Sequence, residues 1–147
     1  MDDILNLLDN AIAMELGSSI RYMWQHVTLE KAANPVLKDI FKDNAIEKFK
    51  RVMILGERLF SLEGTPTTQP IPVKIGSSLK EMIELDLSAE NEIIAKYKEI
   101  LEVTKKEKDA DTQLLCEKII AEEEQLKRIL MCEQGRLRTK FNQLTSR

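Results

Sequence analysis

Apolar residues recur at spacings of three and four through four long segments of this 147-residue chain. Such spacing is typical of amphipathic α-helices, each of which buries one apolar face. The 4 prolines all fall at or between the segment boundaries, where they interrupt no helix. The predicted helices cover residues of about 3–32, 35–62, 78–106 and 110–141. Since 147 residues suit one domain, the pattern predicts a single all-α domain over residues 1–147.

The segment boundaries carry the usual start and stop signals of helices. Pro35 suits the first turn of the second helix, and Gly64 suits its C-terminal cap. Ser77 or Ser78 can cap the third helix, and Glu81 follows Ser78 at the spacing of a capping box. These signals divide the chain into four helices.

The lengths of the connections predict how the helices are arranged. The first and second helices are joined by a short link, and so are the third and fourth, through residues 108–111. Each pair therefore forms an antiparallel hairpin. The connection over residues 65–76 is long enough to run the length of the molecule. This predicts a four-helix bundle with a long crossover between helices 2 and 3.

Each apolar stripe has an ionisable residue near its centre, and antiparallel packing places these residues at similar depth. They are Glu15 in the first helix, Lys48 and Arg51 in the second, Asp86 and Glu90 in the third and Glu123 in the fourth. Burying an unpaired charge costs several kcal/mol, so these groups should bind one another or a metal. Three glutamates and two cations nearly balance in charge. This favours a buried acid–base cluster over side chains that reach solvent at the edge of each stripe.

Histidine and cysteine are too scarce for the common metal sites. His26 is the single histidine, and Cys116 and Cys132 are too few for a four-cysteine zinc or iron–sulfur site. On one helix the two cysteines lie about 24 Å apart, whereas a disulfide needs Cα atoms within about 7 Å. We therefore expect reduced cysteines and a packed or hydrogen-bonded histidine.

The overall charge and hydropathy exclude several kinds of partner. The net charge of −3 argues against nucleic-acid binding, and the basic residues 136–140 are expected to form a solvated helix end. No apolar run approaches the length of a membrane span. Asp2 and Asp3 stand where a signal peptide would be basic, so a cytoplasmic location is expected.

Several short segments resemble bacterioferritins in their order and spacing. The most specific are residues 61–66 at the end of the second helix, residues 75–82 with Asp86-Leu87 at the start of the third, and residues 121–124 in the fourth. The resemblance runs from about residue 4 to residue 136 and implies the ferritin-like four-helix fold. It also implies an oligomeric cage that oxidises ferrous iron at a di-iron centre inside each bundle and stores the ferric mineral.

The resemblance assigns six positions to the ligands of that centre. They are Glu15, Lys48, Arg51, Glu90, Glu123 and Leu126. The family pattern is one Glu from each of helices one and three and Glu-x-x-His from each of helices two and four. Glu15, Glu90 and Glu123 keep their carboxylates. The other three positions have lost their ligand, two of them to fixed cations. The resemblance therefore implies a degenerate centre without ferroxidase activity.

The resemblance also assigns positions to a haem ligand, a tyrosine and two cavity-facing acids. The haem-ligating methionine falls on Phe49, and Met53 lies one turn further along, so no haem is expected. Tyr22 matches the tyrosine near the di-iron centre. Asp43 and Glu47 fall on the face that looks into the cage, where acids can collect iron, although solvated carboxylates are the plainer interpretation.

We therefore predict a bacterioferritin-like cage subunit for iron storage, with no cofactor in its bundle. It would form a homo-oligomer or mix with an active ferritin subunit, and iron would lie in the cage cavity. The family's short fifth helix follows a glycine that residues 141–147 lack, which argues against the usual 24-subunit closure. The alternatives are an active ferroxidase with a rearranged metal site, or a metal-free helical interaction protein.

Overall fold

The computed structural model describes residues 2–30 and 33–145, and these form four α-helices without a β-strand. The helices are α1 (Asp2–Thr28), α2 (Pro35–Ser61), α3 (Leu79–Glu107) and α4 (Ala110–Thr145). Helix α1 packs against α2 and α3, and α3 packs against α4. The predicted all-α four-helix bundle is confirmed.

Residues 62–78 form the crossover between α2 and α3, and they run along α1. The Thr67 backbone N–H donates to Asp9 Oδ1 at 2.8 Å, and the Ile71 N–H donates to the Ala13 carbonyl at 3.1 Å. Further along α1, Gln25 Nε2 donates to the Ile75 carbonyl at 2.9 Å. The predicted long crossover is therefore present and is held to α1 at successive points.

The apolar core is divided into two layers by polar residues at mid-bundle. One layer contains side chains from all four helices, among them Leu8, Leu55, Ile93 and Ile119. The other layer lies towards the start of α2 and contains residues such as Tyr22, Phe41 and Ile83. Charged side chains between two water-excluding layers must find their partners inside the protein.

Two helix ends differ from the sequence prediction. Helix α1 ends at Thr28 rather than near residue 32; residues 31 and 32 themselves lie outside the described residues. Lys38 Nζ donates to the carbonyls of His26 and Leu29, both at 2.6 Å, and so satisfies the end of α1. Helix α4 continues to Thr145, beyond the predicted end near residue 141.

The end of α2 corrects the role predicted for Gly64. The left-handed residue is Glu63, with φ of 67°, and no positive φ occurs at Gly64. A Cβ at Gly64 would approach Leu59 Cδ1 to 2.7 Å and Leu5 Cδ2 to 3.1 Å. The glycine is required by close packing.

At the start of α3, the Glu81 N–H donates to Ser78 Oγ at 3.1 Å, which makes Ser78 the N-cap of that helix.

Over residues 2–30 and 33–145, no helix has a stretch long and apolar enough to cross a lipid bilayer.

Candidate functional site

Lys48 lies at the centre of the bundle and binds a glutamate from each of the other three helices. Its Nζ lies 3.2 Å from Glu15 Oε1 on α1, 2.9 Å from Glu90 Oε2 on α3 and 2.5 Å from Glu123 Oε1 on α4. The lysine is 1% exposed and the three glutamates are fully buried. One ammonium, with its three donor hydrogens, therefore joins all four helices at one point.

Arg51, one turn along α2, forms the second cationic centre. Its Nη1 donates to Glu15 Oε2 at 3.2 Å and also to Glu123 Oε1. Its Nη2 donates to Glu122 Oε2 at 2.9 Å, and the Glu122 side chain is 44% exposed. The guanidinium therefore connects the buried glutamates to the surface of α4. We call Glu15, Lys48, Arg51, Glu90 and Glu123 the charge cluster.

Tyr22 extends the charge cluster by one hydrogen bond. Its hydroxyl donates to Glu90 Oε1 at 2.8 Å, so both oxygens of that carboxylate are bound. Burial and the nearby acids Glu90 and Asp86 raise the pKa of Tyr22 well above its ordinary value, and the phenol remains a donor at neutral pH.

The electrostatics of the cluster hold both cations in their charged form. Burial opposes the charge on Lys48, but Glu15, Glu90 and Glu123 outweigh it and raise the pKa of the ammonium. Burial likewise opposes the charge on Arg51, while Glu15 and Glu123 raise its pKa. Neither cation is a group that loses its proton near neutral pH.

The pKa values of Glu90 and Glu123 shift in opposite directions. Burial raises the pKa of Glu90, but Lys48 and hydrogen bonds outweigh this and lower it to about 2. Burial raises the pKa of Glu123 against the pull of Lys48, and the neighbouring Glu90 and Glu15 raise it further, to about 9. The raised pKa of Glu123 lowers the negative charge of the charge cluster and brings it closer to balance with the two cations.

An open cleft of about 490 Å³ between α2 and α4 leads from the surface to the charge cluster. Lys48, Arg51 and Glu122 line it together with Asn44 and Leu126. Leu126 is partly buried and contributes only apolar atoms. The six positions assigned by sequence thus meet at one place, with five joined by ion pairs and Leu126 on the wall of the cleft.

The remaining sequence-predicted residues lie outside the charge cluster. Phe49 and Met53 are on the outer side of α2, 54% and 51% exposed. Asp43 and Glu47 are also exposed, and Glu47 lines the cleft that leads to the charge cluster. His26 Nδ1 lies 2.7 Å from the Lys38 carbonyl, so its N–H donates to that oxygen. Cys116 is buried and Cys132 exposed, and both are free thiols, as expected.

Two residues that bind the buried charged side chains were not predicted from the sequence. Glu122 pairs with Arg51 from outside the apolar stripe, and its only signal is its place in the acidic run 122–124. Arg21, which lay in no stripe, is 5% exposed and binds Asp86, which was in a stripe but had no partner assigned. Among residues 2–30 and 33–145, no group of three or more His, Cys, Asp or Glu side chains is arranged to hold a metal ion.

Two antiparallel helix hairpins, one long crossover between them and a polar centre to which every helix contributes define the ferritin-like class of protein. Residues 5–134 match the family model of the ferritin-like domain. The bacterioferritin of Desulfovibrio desulfuricans is 34% identical over 122 residues, which cover 82% of this chain and 68% of that protein. The bacterioferritin of Brucella melitensis biotype 1 is 30% identical over 122 residues, covering 82% and 76%.

Solved structures show the same fold. Mycobacterium tuberculosis bacterioferritin BfrA aligns with a TM-score of 0.89 at 21% identity, over 95% of this chain and 88% of that chain. A ferritin-like diiron-carboxylate protein of Bacillus anthracis aligns with a TM-score of 0.87 at 26% identity, over 90% and 96%. The chain belongs to the bacterioferritins, within the ferritin-like superfamily.

Proposed function

We propose that this chain is a bacterioferritin-type cage subunit for iron storage in which the charge cluster has replaced the di-iron centre. The observation that carries the proposal is the position of Lys48 Nζ, which lies within 3.2 Å of an oxygen of each of the three retained glutamates. Those are the carboxylates that the family uses to hold iron.

The donor set does not fit two iron ions. Iron ligands need a lone pair, and the ammonium of Lys48, the guanidinium of Arg51 and the isobutyl group of Leu126 offer none. Glu15 has both oxygens bound to cations, and Glu90 has one bound to Lys48 and the other to Tyr22. Two fixed positive charges among these carboxylates also repel a metal cation. We therefore assign the chain no ferroxidase activity.

Haem does not fit the residues present at the family's haem position either. The Phe49 ring has no sulfur to ligate iron, and Met53 is displaced by one turn, about 6 Å along the helix. Both side chains lie on an exposed face of α2, where an apolar contact with another subunit is the plainer role.

Anaerobic titration with ferrous iron tests the lost centre. Wild type is compared with the triple variant Lys48→Glu, Arg51→His and Leu126→His, which restores the family ligands. A variant with Lys48→Gln and Arg51→Gln serves as the matched control, since it removes both cations and adds no family ligand. We expect the triple variant to bind two irons per subunit, and wild type and the control to bind far more weakly.

An active bacterioferritin titrated in parallel keeps the result decisive even if the triple variant folds poorly. Should wild type bind two irons per subunit as tightly as that active protein, the replacement of the centre is refuted.

Native mass spectrometry with metal analysis on the same sample tests the storage role. We expect an oligomeric cage in the cytoplasm, a homo-oligomer or one mixed with an active ferritin subunit, and without nucleic acid or lipid. The cage should contain iron when the chain is co-expressed with an active ferritin. A metal-free monomer or dimer under those conditions would contradict iron storage and favour a helical interaction protein.

A further inference from the structure

A groove of about 630 Å³ lies between the start of α3 and the end of α4, and no member of the charge cluster lines it. Its floor consists of Leu79, Ile83 and Leu137, which pack in or against the core layer towards the start of α2. Phe141 and Leu144 form its outer wall, and each is 65% exposed. The volume lies within the range of roughly 300–1,000 Å³ that is typical of ligand-binding pockets.

The two walls of the groove differ in length. Helix α4 lines it over residues 134–144, about 15 Å of helix, with apolar side chains at spacings of four and three. Helix α3 lines it over residues 79–84 only, about 8 Å. A partner helix anchored at i, i+3, i+4 and i+7 needs about 11 Å on both sides. The groove therefore suits a narrow, flexible chain better than a helix.

The rim of the groove is cationic. Arg138 lines it and makes no hydrogen bond or ion pair within residues 2–30 and 33–145. Lys80 also lines it and is paired with Glu84 at 3.9 Å. The side-chain amides of Gln134 and Asn142 complete the rim. An anionic group here would meet an unpaired guanidinium beside amide donors, whereas a cationic group would meet repulsion.

The same charges argue against a second copy of this segment as the occupant. Residues 134–147 contain four basic residues and no acidic one, in a chain whose net charge is −3. Two such segments side by side would bring like charges together, which is unfavourable. The complementary occupant has an apolar body and a negative charge.

We propose that this groove binds a medium-chain alkyl carboxylate, with its chain against Ile83, Leu137 and Phe141 and its carboxylate on Arg138. An extended dodecyl chain is similar in length to the α4 wall. Burial of the chain supplies most of the affinity, and charge-assisted hydrogen bonds from the guanidinium select a carboxylate headgroup. The ligand is a single-chain solute and needs no membrane. Because the site shares no residue with the charge cluster, it does not depend on the fate of the iron centre.

Isothermal titration calorimetry of the assembled wild-type protein with dodecanoate tests this site. The titration is made at neutral pH, below the concentration at which the amphiphile forms micelles. Dodecyltrimethylammonium, which has the same chain and the opposite charge, is the control ligand. We expect saturable binding of one dodecanoate per subunit, and binding of the cation that is weaker by roughly tenfold.

Two charge-reversal variants locate the headgroup. Arg138→Glu changes the charge at the rim, and Lys140→Glu makes the same change at an exposed residue outside the lining of the groove. We expect Arg138→Glu to weaken dodecanoate binding by roughly tenfold and to strengthen binding of the cation. Lys140→Glu should leave both affinities nearly unchanged.

Phe141→Ser locates the alkyl chain. It removes part of the apolar wall at an exposed residue, so we expect both amphiphiles to bind more weakly by a similar factor. Native mass spectrometry of each variant verifies that the assembly is the same as in wild type.

Three results would overturn the proposal. One is the absence of saturable dodecanoate binding to the assembled wild-type protein. Another is equal affinity for the two amphiphiles, which would show that the groove does not select a carboxylate. The third is an equal loss of affinity in Arg138→Glu and Lys140→Glu, which would show attraction to the basic segment as a whole and no built site.

Discussion

At the scale of single residues, the buried charges of this bundle act as one unit. Lys48 contacts three carboxylates and Arg51 shares two of them, so removing Lys48 leaves Glu90 without a cation, and removing either one leaves the buried acids with a single cation. The loss of a cation lowers the free energy of unfolding because the interior has no water to solvate the remaining charge.

Replacing Lys48 by methionine tests this dependence on the cation. The change keeps an unbranched side chain but leaves Glu90 without a cation and Glu15 with Arg51 alone, and we expect a loss of about 3–5 kcal/mol in the free energy of unfolding. Lys50→Met, at a lysine whose side chain is 59% exposed, should change it by less than about 0.5 kcal/mol. Urea unfolding at equal protein concentration measures both. Equal stability of the two variants would show that Lys48 does not neutralise the buried glutamates.

The charge cluster was predictable from sequence because its members occupy the apolar stripes. Glu15, Lys48, Glu90 and Glu123 stand where a helix of period 3.6 must point inwards, and burial then demands pairing. Glu122 was not predictable, since it reaches Arg51 from a solvent-facing position. The pairing of Asp86 was missed because its partner, Arg21, stands outside the stripe read for α1.

At the scale of elements, the crossover and α1 fit each other closely. Gly17 is buried in α1, and a Cβ there would lie 2.6 Å from Ile71 Cγ1 and 3.3 Å from the Ile71 carbonyl oxygen. A glycine inside a helix is unfavourable by about 1 kcal/mol relative to alanine. Its presence in α1 is explained by the crossover that lies on it.

Gly17→Ala and Gly135→Ala form a matched pair, since both glycines lie within helices. A Cβ at Gly135 meets nothing within 4 Å. Gly135→Ala should therefore stabilise the protein by about 0.5–1 kcal/mol. Gly17→Ala should destabilise it by about 1–3 kcal/mol because Ile71 must move. Thermal unfolding of the two variants gives the comparison, and the same sign for both would show that the crossover does not constrain α1.

Element types and order followed from the sequence, but two boundaries did not. Caps such as Ser78 depend on adjacent residues and are visible locally. At the end of α1, Lys38 from the next helix binds the carbonyls of His26 and Leu29, a contact between elements that no local pattern in α1 indicates. Gly64 was predicted for its backbone freedom but is needed for its small volume against Leu59.

At the scale of the whole molecule, the outer faces of α1 and α2 carry apolar side chains that a single chain leaves uncovered. Met23 and Trp24 on α1 are 43% and 44% exposed, and Phe49 and Met53 on α2 are exposed by about half. Exposed apolar clusters of this kind mark interaction surfaces. Phe49 lies on the face of α2 for which we propose an apolar contact with another subunit.

Phe49→Glu should therefore weaken the assembly, because a carboxylate would be buried in an apolar contact. Native mass spectrometry should show a shift towards smaller species, while Lys50→Glu, at the neighbouring exposed residue, should leave the assembled mass unchanged. An unaltered assembled mass for Phe49→Glu would show that this face is not part of a subunit interface.

Anomalous diffraction at the iron absorption edge shows whether protein cations occupy the place of iron in the bundle. Crystals of wild type and of the Lys48→Glu, Arg51→His, Leu126→His variant would be soaked anaerobically in ferrous salt. We expect no iron peak among Glu15, Glu90 and Glu123 in wild type, and two peaks in the variant. An iron peak between those glutamates in wild type would show that Lys48 and Arg51 do not replace the metal.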